Sequence, residues 1–395
     1  MLNGKTIVIG VSGGIAAYKT AEIISRLKKL HANVRVCMTK AATEFITPLT
    51  LQTLSRNTVS VDMFEAVPKW DIEHISLASD ADIMLIAPAT ANIIGKIANG
   101  IADDMVTTTV MATKAKVIIA PSMNSNMYEN PITQQNIDKL KGLGYIFAEP
   151  DFGRLACGEV GKGRLADPAD IVELVVEYAL FEKDLVGKRV VVTAGPTQER
   201  IDDVRFISNH SSGKMGYAIA KNAKRRGAEV TLISGSVCLP EIKGIRTIYV
   251  KSAVQMYNEV MRLAPSSDII VKAAAVGDFR VKNAASGKIK KDSYSTIELE
   301  KNPDILFELG KNKSYVLVGF CMETEDLEYY ASQKLKEKNA DFMVANDLTN
   351  EGAGFATDTN IVKILHKSGE VEDLPIMSKD DLAGEILDRA KILLK

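Results

Sequence analysis

The sequence predicts an α/β protein built as two doubly wound three-layer domains, and three observations carry that prediction. Short β-branched runs alternate with amphipathic helical segments along most of the chain, the pattern of parallel sheets covered by helices on both faces. An apolar strand running into glycine and then a helix opens the chain at Thr6–Gly14 and restarts at Arg189–Gly195. The length of 395 residues exceeds what one hydrophobic core fills, so two or three domains are expected.

Composition narrows the class of protein. Hydrophobic residues at 46% and charged residues at 25% are ordinary for a soluble globular chain. Lys+Arg 49 against Asp+Glu 50 leaves a net charge of -1, so no global field argues for nucleic acid or an anionic membrane. No apolar run approaches the ~18 residues of a spanning helix, and Met1–Lys5 passes straight into a strand without a signal-peptide core. Cys37, Cys157, Cys238 and Cys321 are scattered, with no CxxC pair or metal spacing. A cytoplasmic, thiol-reduced protein is expected.

In the first half, Thr6–Val11 reads as a strand, followed by Ser12-Gly13-Gly14 and a helical pattern through Ile15, Ile23, Ile24 and Leu27. Backbone N–H groups at such a turn favour a phosphate, although a tight turn without a ligand has the same signature. The spacing is not GxGxxG, and Thr39 rather than an acidic residue follows the next strand, Asn33–Met38. A mononucleotide such as FMN therefore fits better than NAD. Buried-type strands at 81–92 and 116–123 finish in Pro with small polar residues, and Gly144–Ala148 reads as a fifth. Loops carrying Ser12, Thr39, Thr90, Asn92 and Asn124 are expected to converge on one sheet edge, offering neutral hydroxyl and amide donors. His74, at the start of an amphipathic helix, is the one obvious titrating base in this half. Pro121–Gly163 is the most unusual stretch: an amide-rich strand end, then a glycine-punctuated segment expected to be a mobile flap over an active site. Cys157 lies in that flap among Arg154, Lys162 and Arg164, a cationic setting that lowers a thiol pKa. Cys37 and Cys238, in or beside apolar strands, read as small buried hydrophobes.

Residues 181–187 read as a short charged linker between a first domain, 1–180, and a second, 188–395. The second opens on Arg189–Gly195 and a long loop ending in Ser211-Ser212-Gly213-Lys214, which lacks Walker A spacing. Strands follow at 229–234, 246–250, 268–275, 315–320 and 341–346, with an antiparallel edge at 360–366 and 370–374. A lysine cluster at 287–291 reads on its own as a solvated turn. Asn302–Leu306 opens a helix with Pro near its first turn, and Lys334 and Lys338 share one helix face. His366 reads as structural.

Several motifs carry a resemblance. Residues 1–180 resemble the homo-oligomeric flavin-containing cysteine decarboxylases through Ser12–Lys19, His74, Ala87–Asn92, Pro121–Met127 and Ala156–Glu159. Residues 188–395 resemble phosphopantothenate–cysteine ligase through Thr193–Thr197, Arg205–Gly216, Lys288–Lys291 and Ala345–Asp347. In this order the two are similar to the bifunctional family of bacterial coenzyme A biosynthesis. Two departures are minor: Tyr128 stands where Trp is common, and Cys321-Met322-Glu323 where Ala-Ala-Glu is. The resemblance implies a flavodoxin-like FMN-binding decarboxylase domain followed by a Rossmann-like ligase domain.

The resemblance also implies roles. In the ligase, CTP activates the carboxylate of 4'-phosphopantothenate as an acyl-CMP, which the amine of L-cysteine then attacks. Asn209 and Arg205 would hold the acyl-cytidylate and Lys288 assist its formation or breakdown. Ala273, Ala274, Asp278, Lys288, Pro303, Asp304, Ile305, Leu306, Phe320, Lys334 and Lys338 would surround CTP, with Mg2+ on the phosphates and Asp278 as its protein ligand. In the decarboxylase, FMN would lie against Ser12, Gly13, Gly14, Thr39, Thr90 and Asn92. The substrate would be oxidised transiently at its thiol-bearing carbon, lose carbon dioxide and be reduced again. Asn124 would bind its carboxylate, His74 act as base or orient it, and Cys157 deliver the last proton. The partners implied are small molecules, with neither nucleic acid nor membrane, and a homo-oligomer, expected as a dodecamer of trimeric and dimeric contacts. Two other readings remain. A nicotinamide-using flavin oxidoreductase needs a dinucleotide fingerprint. A non-catalytic flavoprotein regulator is favoured by loss of His74, Asn124 or Cys157, and all three are present.

Overall fold

A computed structural model of the chain describes residues 1–64, 72–156, 158–290, 296–323, 326–347 and 358–394. Two compact units divide it, Met1–Glu182 and Lys183–Lys395. Both are α/β and doubly wound. Among the described residues, no helix is long and apolar enough to cross a membrane.

The first unit is organised by β1 (Thr6–Val11), β2 (Asn33–Met38), β3 (Val59–Ser60), β4 (Ile83–Ala89), β5 (Lys116–Pro121) and β6 (Ile146–Phe147), in the order β3-β2-β1-β4-β5-β6. Every pairing is parallel. The order reverses between β1 and β4, which opens a crevice beyond their C-terminal ends. The central strands are buried on both faces, so they read as continuous apolar runs rather than alternations. Ile7, Ile9 and Val11 pack into one helical layer, which holds α1 (Thr20–Lys29) and α2 (Pro48–Ser55) and includes Ile24 and Leu51; Val8 packs into the other. That other layer holds α3 (Glu73–Asp80), α4 (Ala91–Ala98) and α5 (Met105–Ala112), with Leu77, Ile93 and Val106 on its face. Each such side chain taken from water contributes about 1.5–3 kcal/mol.

The chain then forms α6 (Ser125–Glu129) and α7 (Pro131–Gly142), a two-stranded antiparallel ribbon of β7 (Asp151–Arg154) and β8 (Val160–Arg164), and α8 (Pro168–Leu180). This ribbon is the segment expected as a flap. Cys157 lies outside the described residues.

The second unit has an eight-stranded sheet of β9 (Arg189–Ala194), then β12 (Glu229–Ser234), β13 (Arg246–Tyr249), β14 (Ile269–Lys272), β17 (Val316–Glu323), β18 (Phe342–Asp347), β19 (Thr359–His366) and β20 (Val371–Ser378). The intervening short strands, β10 (Gln198–Arg200), β11 (Phe206–Ser208), β15 (Phe279–Val281) and β16 (Leu299–Lys301), form two antiparallel ribbons inside what the sequence reads as loops. The sheet order β13-β12-β9-β14-β17-β18-β19-β20 reverses between β9 and β14 and closes on an antiparallel edge. Its helices are α9 (Lys214–Arg225), α10 (Ala253–Leu263), α11 (Ile305–Lys311), α12 (Leu327–Glu337) and α13 (Lys379–Ile392). His366 is structural here, bonded through Nε2 to Glu372 and lying against the Phe342 ring.

One expectation changes. The segment read as a linker is partly fastened to the second unit: Leu185 is fully buried and Asp184 receives the Arg226 guanidinium at 2.8 and 2.6 Å. Asp304 caps α11 through Phe307 N–H, and Pro303 stands just before that cap, near the first turn as expected.

Asp184 is also a stability switch. Hydrogen bonds from Arg226, and from Lys391, lower its pKa to about 2, against about 4 in an unfolded chain. The stabilisation is therefore complete above pH ~4 and lost as pH falls through ~2. Asp184→Asn should lower Tm at neutral pH, and the gap to the parent should close between pH ~4 and ~2. A pH-independent gap in thermal unfolding scans would contradict this.

Candidate active sites

At the crevice of the first unit, Ser12 braces two loops. Its Oγ donates to Pro88 O at 2.7 Å and accepts from Thr90 N–H at 3.0 Å, and the residue is buried. Thr39 and Thr90 cap the turns after β2 and β4, accepting N–H bonds from Ala42 and Ile93. Each spends an acceptor and keeps a hydroxyl proton to donate. Gly13 is required by close approach: a Cβ there would sit 2.6 Å from Ala41 Cβ and 2.8 Å from its carbonyl carbon. Gly14 meets only Thr90 Cγ2 at 3.4 Å, and Asn92 stands exposed on the first turn of α4. The loops after β1, β2, β4 and β5 that carry the five predicted residues thus share one edge, with Ser12 serving mainly as a brace.

Asn124 ends the strand β5 turn and caps α6, accepting from Asn126 N–H at 2.8 Å. Its Nδ2 donates to Glu159 Oε2 at 2.8 Å, so a carboxylate from the ribbon already rests on this amide. Glycines bring the ribbon that close. A Cβ at Gly161 would lie 2.2 Å from Ser125 Oγ, and one at Gly163 2.4 Å from Met123 O. Gly163 has φ +140, and its carbonyl accepts from Met123 N–H at 2.9 Å. Among the described residues of this unit, the buried polar atoms His74 Nδ1 and Ser125 Oγ lack partners. Such atoms are costly unless a ligand satisfies them. Lys19, missed from the sequence, is a further cation at this end: burial and the like charge of Arg164 lower its pKa. Cys37 is inert, its thiol pushed up to about 12 by burial.

In the second unit, the N-terminus of α9 is shaped by Gly213 in the left-handed region (φ 77) and by Gly216, whose Cβ would meet Ala194 Cβ at 2.5 Å and Thr193 O at 2.8 Å. A cavity of about 480 Å³ opens there, reached by Asn209, Lys214, Ala273, Ala274, Asp278 and Phe320 among others. A second, of about 680 Å³, is lined by Pro303, Asp304, Ile305, Leu306, Lys334 and Lys338, and shares Asp278, Phe320 and Lys334 with the first. The predicted nucleotide residues other than Lys288 therefore gather on adjoining cavities. Lys338 pairs with Asp304 at 3.0 Å and with Glu337. Asn209 Nδ2 donates to Ala275 O at 3.2 Å. Lys272, which lines both cavities, was missed, although a lysine in the apolar run Ile269–Val271 was the available signal.

Arg205 and Lys288 line neither cavity. Arg205 is clamped on buried Asp202 by Nε and Nη2 at 2.9 and 2.5 Å and also donates to Ile289 O at 3.0 Å. Those bonds hold the Asp202 carboxyl well below the usual range, aided by backbone N–H groups of Val204, Arg205 and Ile289. The described part of the lysine-rich segment is stitched to this loop by Gly287 N–H on Asp203, Ala285 N–H on Ile201 O and Arg200 on Ala285 O. Exposed Lys288 thus rides on a hydrogen-bonded support rather than a free turn. Among the described residues, no group of three or more His, Cys, Asp or Glu side chains is placed to hold a metal. Asp278 is one carboxylate, so a divalent cation there needs phosphate oxygens and water for its other ligands. Cys238, expected buried, is exposed at the rim of a cavity on the β12 side of the same sheet edge.

Comparison with known proteins covers both units. The family model described as flavoprotein matches residues 1–180, and that described as DNA/pantothenate metabolism flavoprotein C-terminal domain matches 185–393. The chain is 51% identical over 400 residues to the coenzyme A biosynthesis bifunctional protein CoaBC of Bacillus subtilis (strain 168), spanning 100% of this chain and 98% of the relative. It is 46% identical to the protein of that name from Vibrio cholerae serotype O1, over 98% of each chain. A crystal structure of the C-terminal domain of such a protein is 42% identical, with TM-score 0.47, covering 54% of this chain and 98% of that one.

Proposed function

The chain belongs to the family of coenzyme A biosynthesis bifunctional proteins, and from that premise we propose how its two units divide the work. It is a bifunctional enzyme of coenzyme A biosynthesis, combining a ligase with a decarboxylase in a flavoprotein. The full-length match carries this conclusion, since it spans both units at once. The second unit acts first, joining L-cysteine to 4'-phosphopantothenate at the expense of CTP. The first unit then decarboxylates the product to 4'-phosphopantetheine.

A carboxylate resists an amine until one oxygen becomes a leaving group. In the ligase, the substrate carboxylate attacks the α-phosphorus of CTP and expels pyrophosphate. The cysteine nitrogen then attacks the acyl carbon, CMP leaves, and the nitrogen loses its proton. Lysine ammoniums and the α9 N-terminus stabilise the phosphate charge that moves in both steps. Asn209, on the wall of the smaller cavity, is suited to the acyl phosphate. The lone carboxylate of Asp278 suits a Mg2+ carried in on the nucleotide.

In the decarboxylase, FMN when bound supplies a reversible two-electron sink, without which the α-carboxylate leaves an unstabilised carbanion. The residues present fit such a group. Gly13 lets backbone approach a phosphate, Thr39 and Thr90 retain donors, and the unpartnered His74 Nδ1 and Ser125 Oγ await one. Asn124 holds the substrate carboxylate on the amide that Glu159 now occupies. His74 orients the substrate or takes its proton, and Cys157 returns a proton as the ribbon excludes water. Exposed Val204, Phe206 and Ile207, in and just before β11, suit a subunit contact, in keeping with the expected homo-oligomer.

Supplied with 4'-phosphopantothenate, L-cysteine and CTP, the protein should release pyrophosphate, CMP and carbon dioxide and accumulate the decarboxylated thiol. CTP turnover that ignores cysteine would overturn the assignment. Gly13→Val should strip flavin, because side-chain atoms forced onto the Ala41 backbone, at a cost of about 1–3 kcal/mol, push the Ser12–Gly14 turn out of the position from which it would meet a phosphate. Ligation should continue. Full flavin absorbance per chain in that variant would remove Ser12–Gly14 from the FMN site.

A further inference from the structure

Lys272 is the last residue of β14, paired in register with Gly319 of β17. Strand alternation gives its side chain the side of Ile270, which packs with Ile305, Leu306 and Leu335 under α11 and α12. Gly319 keeps that path open; a Cβ there would lie 2.4 Å from Met343 Sδ and 2.8 Å from Leu306 Cδ2. Lys272 lines both ligase cavities. Its Nζ donates to Ala274 O at 3.1 Å, and no carboxylate of the described residues lies within ion-pair distance of it. Asp304, one of the two carboxylates that influence it, is already bonded to Lys338. Asp278, on the cavity wall, is the other, and Lys334 adds a like charge. Burial pushes the ammonium's pKa down.

A half-buried ammonium with three donors and a single neutral protein acceptor carries a desolvation cost in the empty protein. An anionic oxygen arriving in the cavity removes that cost. We propose that Lys272 is a nucleotide-contacting residue of the ligase, donating to the phosphate chain where the two cavities meet. This rests on the reading of these cavities as the CTP site. Lys334 and Lys338 reach the nucleotide from α12 and its end; Lys272 reaches it from the sheet, where a strand position is held more rigidly than a helix-end lysine.

The test uses the full chain and the substitution Lys272→Met, which keeps length and removes charge. CTP binding by calorimetry should weaken roughly tenfold or more, as expected for losing a hydrogen bond to a charged group. Cytidine, measured by competition, should bind unchanged. The ligand-free variant should keep its Tm or gain slightly, because a half-buried charge without a carboxylate partner is gone; a merely structural lysine would lower Tm and weaken cytidine and CTP alike. Equal loss for cytidine and CTP, or no loss for CTP, overturns the proposal. Lys334→Met, measured alongside, separates the two readings. If it weakens CTP and Lys272→Met does not, only this inference fails; if neither does, the nucleotide assignment of the cavities fails.

Discussion

Asn124→Asp should stop decarboxylation while ligation runs on, so that phosphopantothenoylcysteine accumulates. The substitution is nearly isosteric and retains an oxygen to accept the Asn126 N–H bond that caps α6, so the turn after β5 survives. What changes is the other arm of the side chain. The Nδ2 that now donates to Glu159 Oε2 becomes an anionic oxygen. It repels Glu159, and it repels the substrate carboxylate that the amide is proposed to hold. Losing one preorganised donor costs about 10²–10³ in rate, and like-charge repulsion in a closed site adds to it. Chromatography of the reaction mixture decides the matter: CTP consumption at the parental rate, with the cysteine adduct as end product. Parental yields of 4'-phosphopantetheine would take Asn124 out of carboxylate binding and leave it as a helix cap.

Lys288→Gln should cut ligation by about two decades, with flavin content and folding unchanged. Acyl-cytidylate formation and cysteine attack both move negative charge onto phosphate oxygens. A cation there is worth on the order of ~3 kcal/mol, whereas a solvated lysine is worth almost nothing. The side chain is exposed and outside both cavities, so distance to the cavities argues for the solvated case. Against that, the adjoining Ile289 is bonded on both sides, its N–H to Asp202 and its carbonyl to Arg205. Such a support positions a lysine for work above a bound anion. Labelled CTP with cysteine withheld locates the failure. Accumulated acyl-CMP assigns Lys288 to the attack by cysteine, and its absence to activation. Near-normal ligation at saturating CTP would return Lys288 to the surface.

Architecture was legible in the sequence because parallel strands buried on both faces leave unbroken apolar runs. Thr6–Val11 and Arg189–Ala194 announced themselves in that way, and each was followed by the glycines its turn requires. Of the strands shorter than four residues, Ile146–Phe147 was legible within the apolar run Gly144–Ala148, and others were not. Val59–Ser60, Gln198–Arg200 and Phe279–Val281 have too few positions for any period to show. Their existence rests on partners distant in the chain, such as Glu300 opposite Arg280.

The kinds of residue at the sites were determined locally, and motif spacing was enough to nominate Asn124, Asn209 and Lys334. What those residues touch was decided only by the tertiary structure. Glu159 lies 35 positions from Asn124 and reaches it because Gly161 and Gly163 let the ribbon press on the strand end. Lys272 looks, in sequence, like a stray charge in a buried strand. Folding places Gly319 beside it and Asp304 and Lys334 around it, and so turns it toward the ligand cavities. Side-chain identity is a property of one position, whereas burial and pairing belong to contacts between segments that only packing brings together.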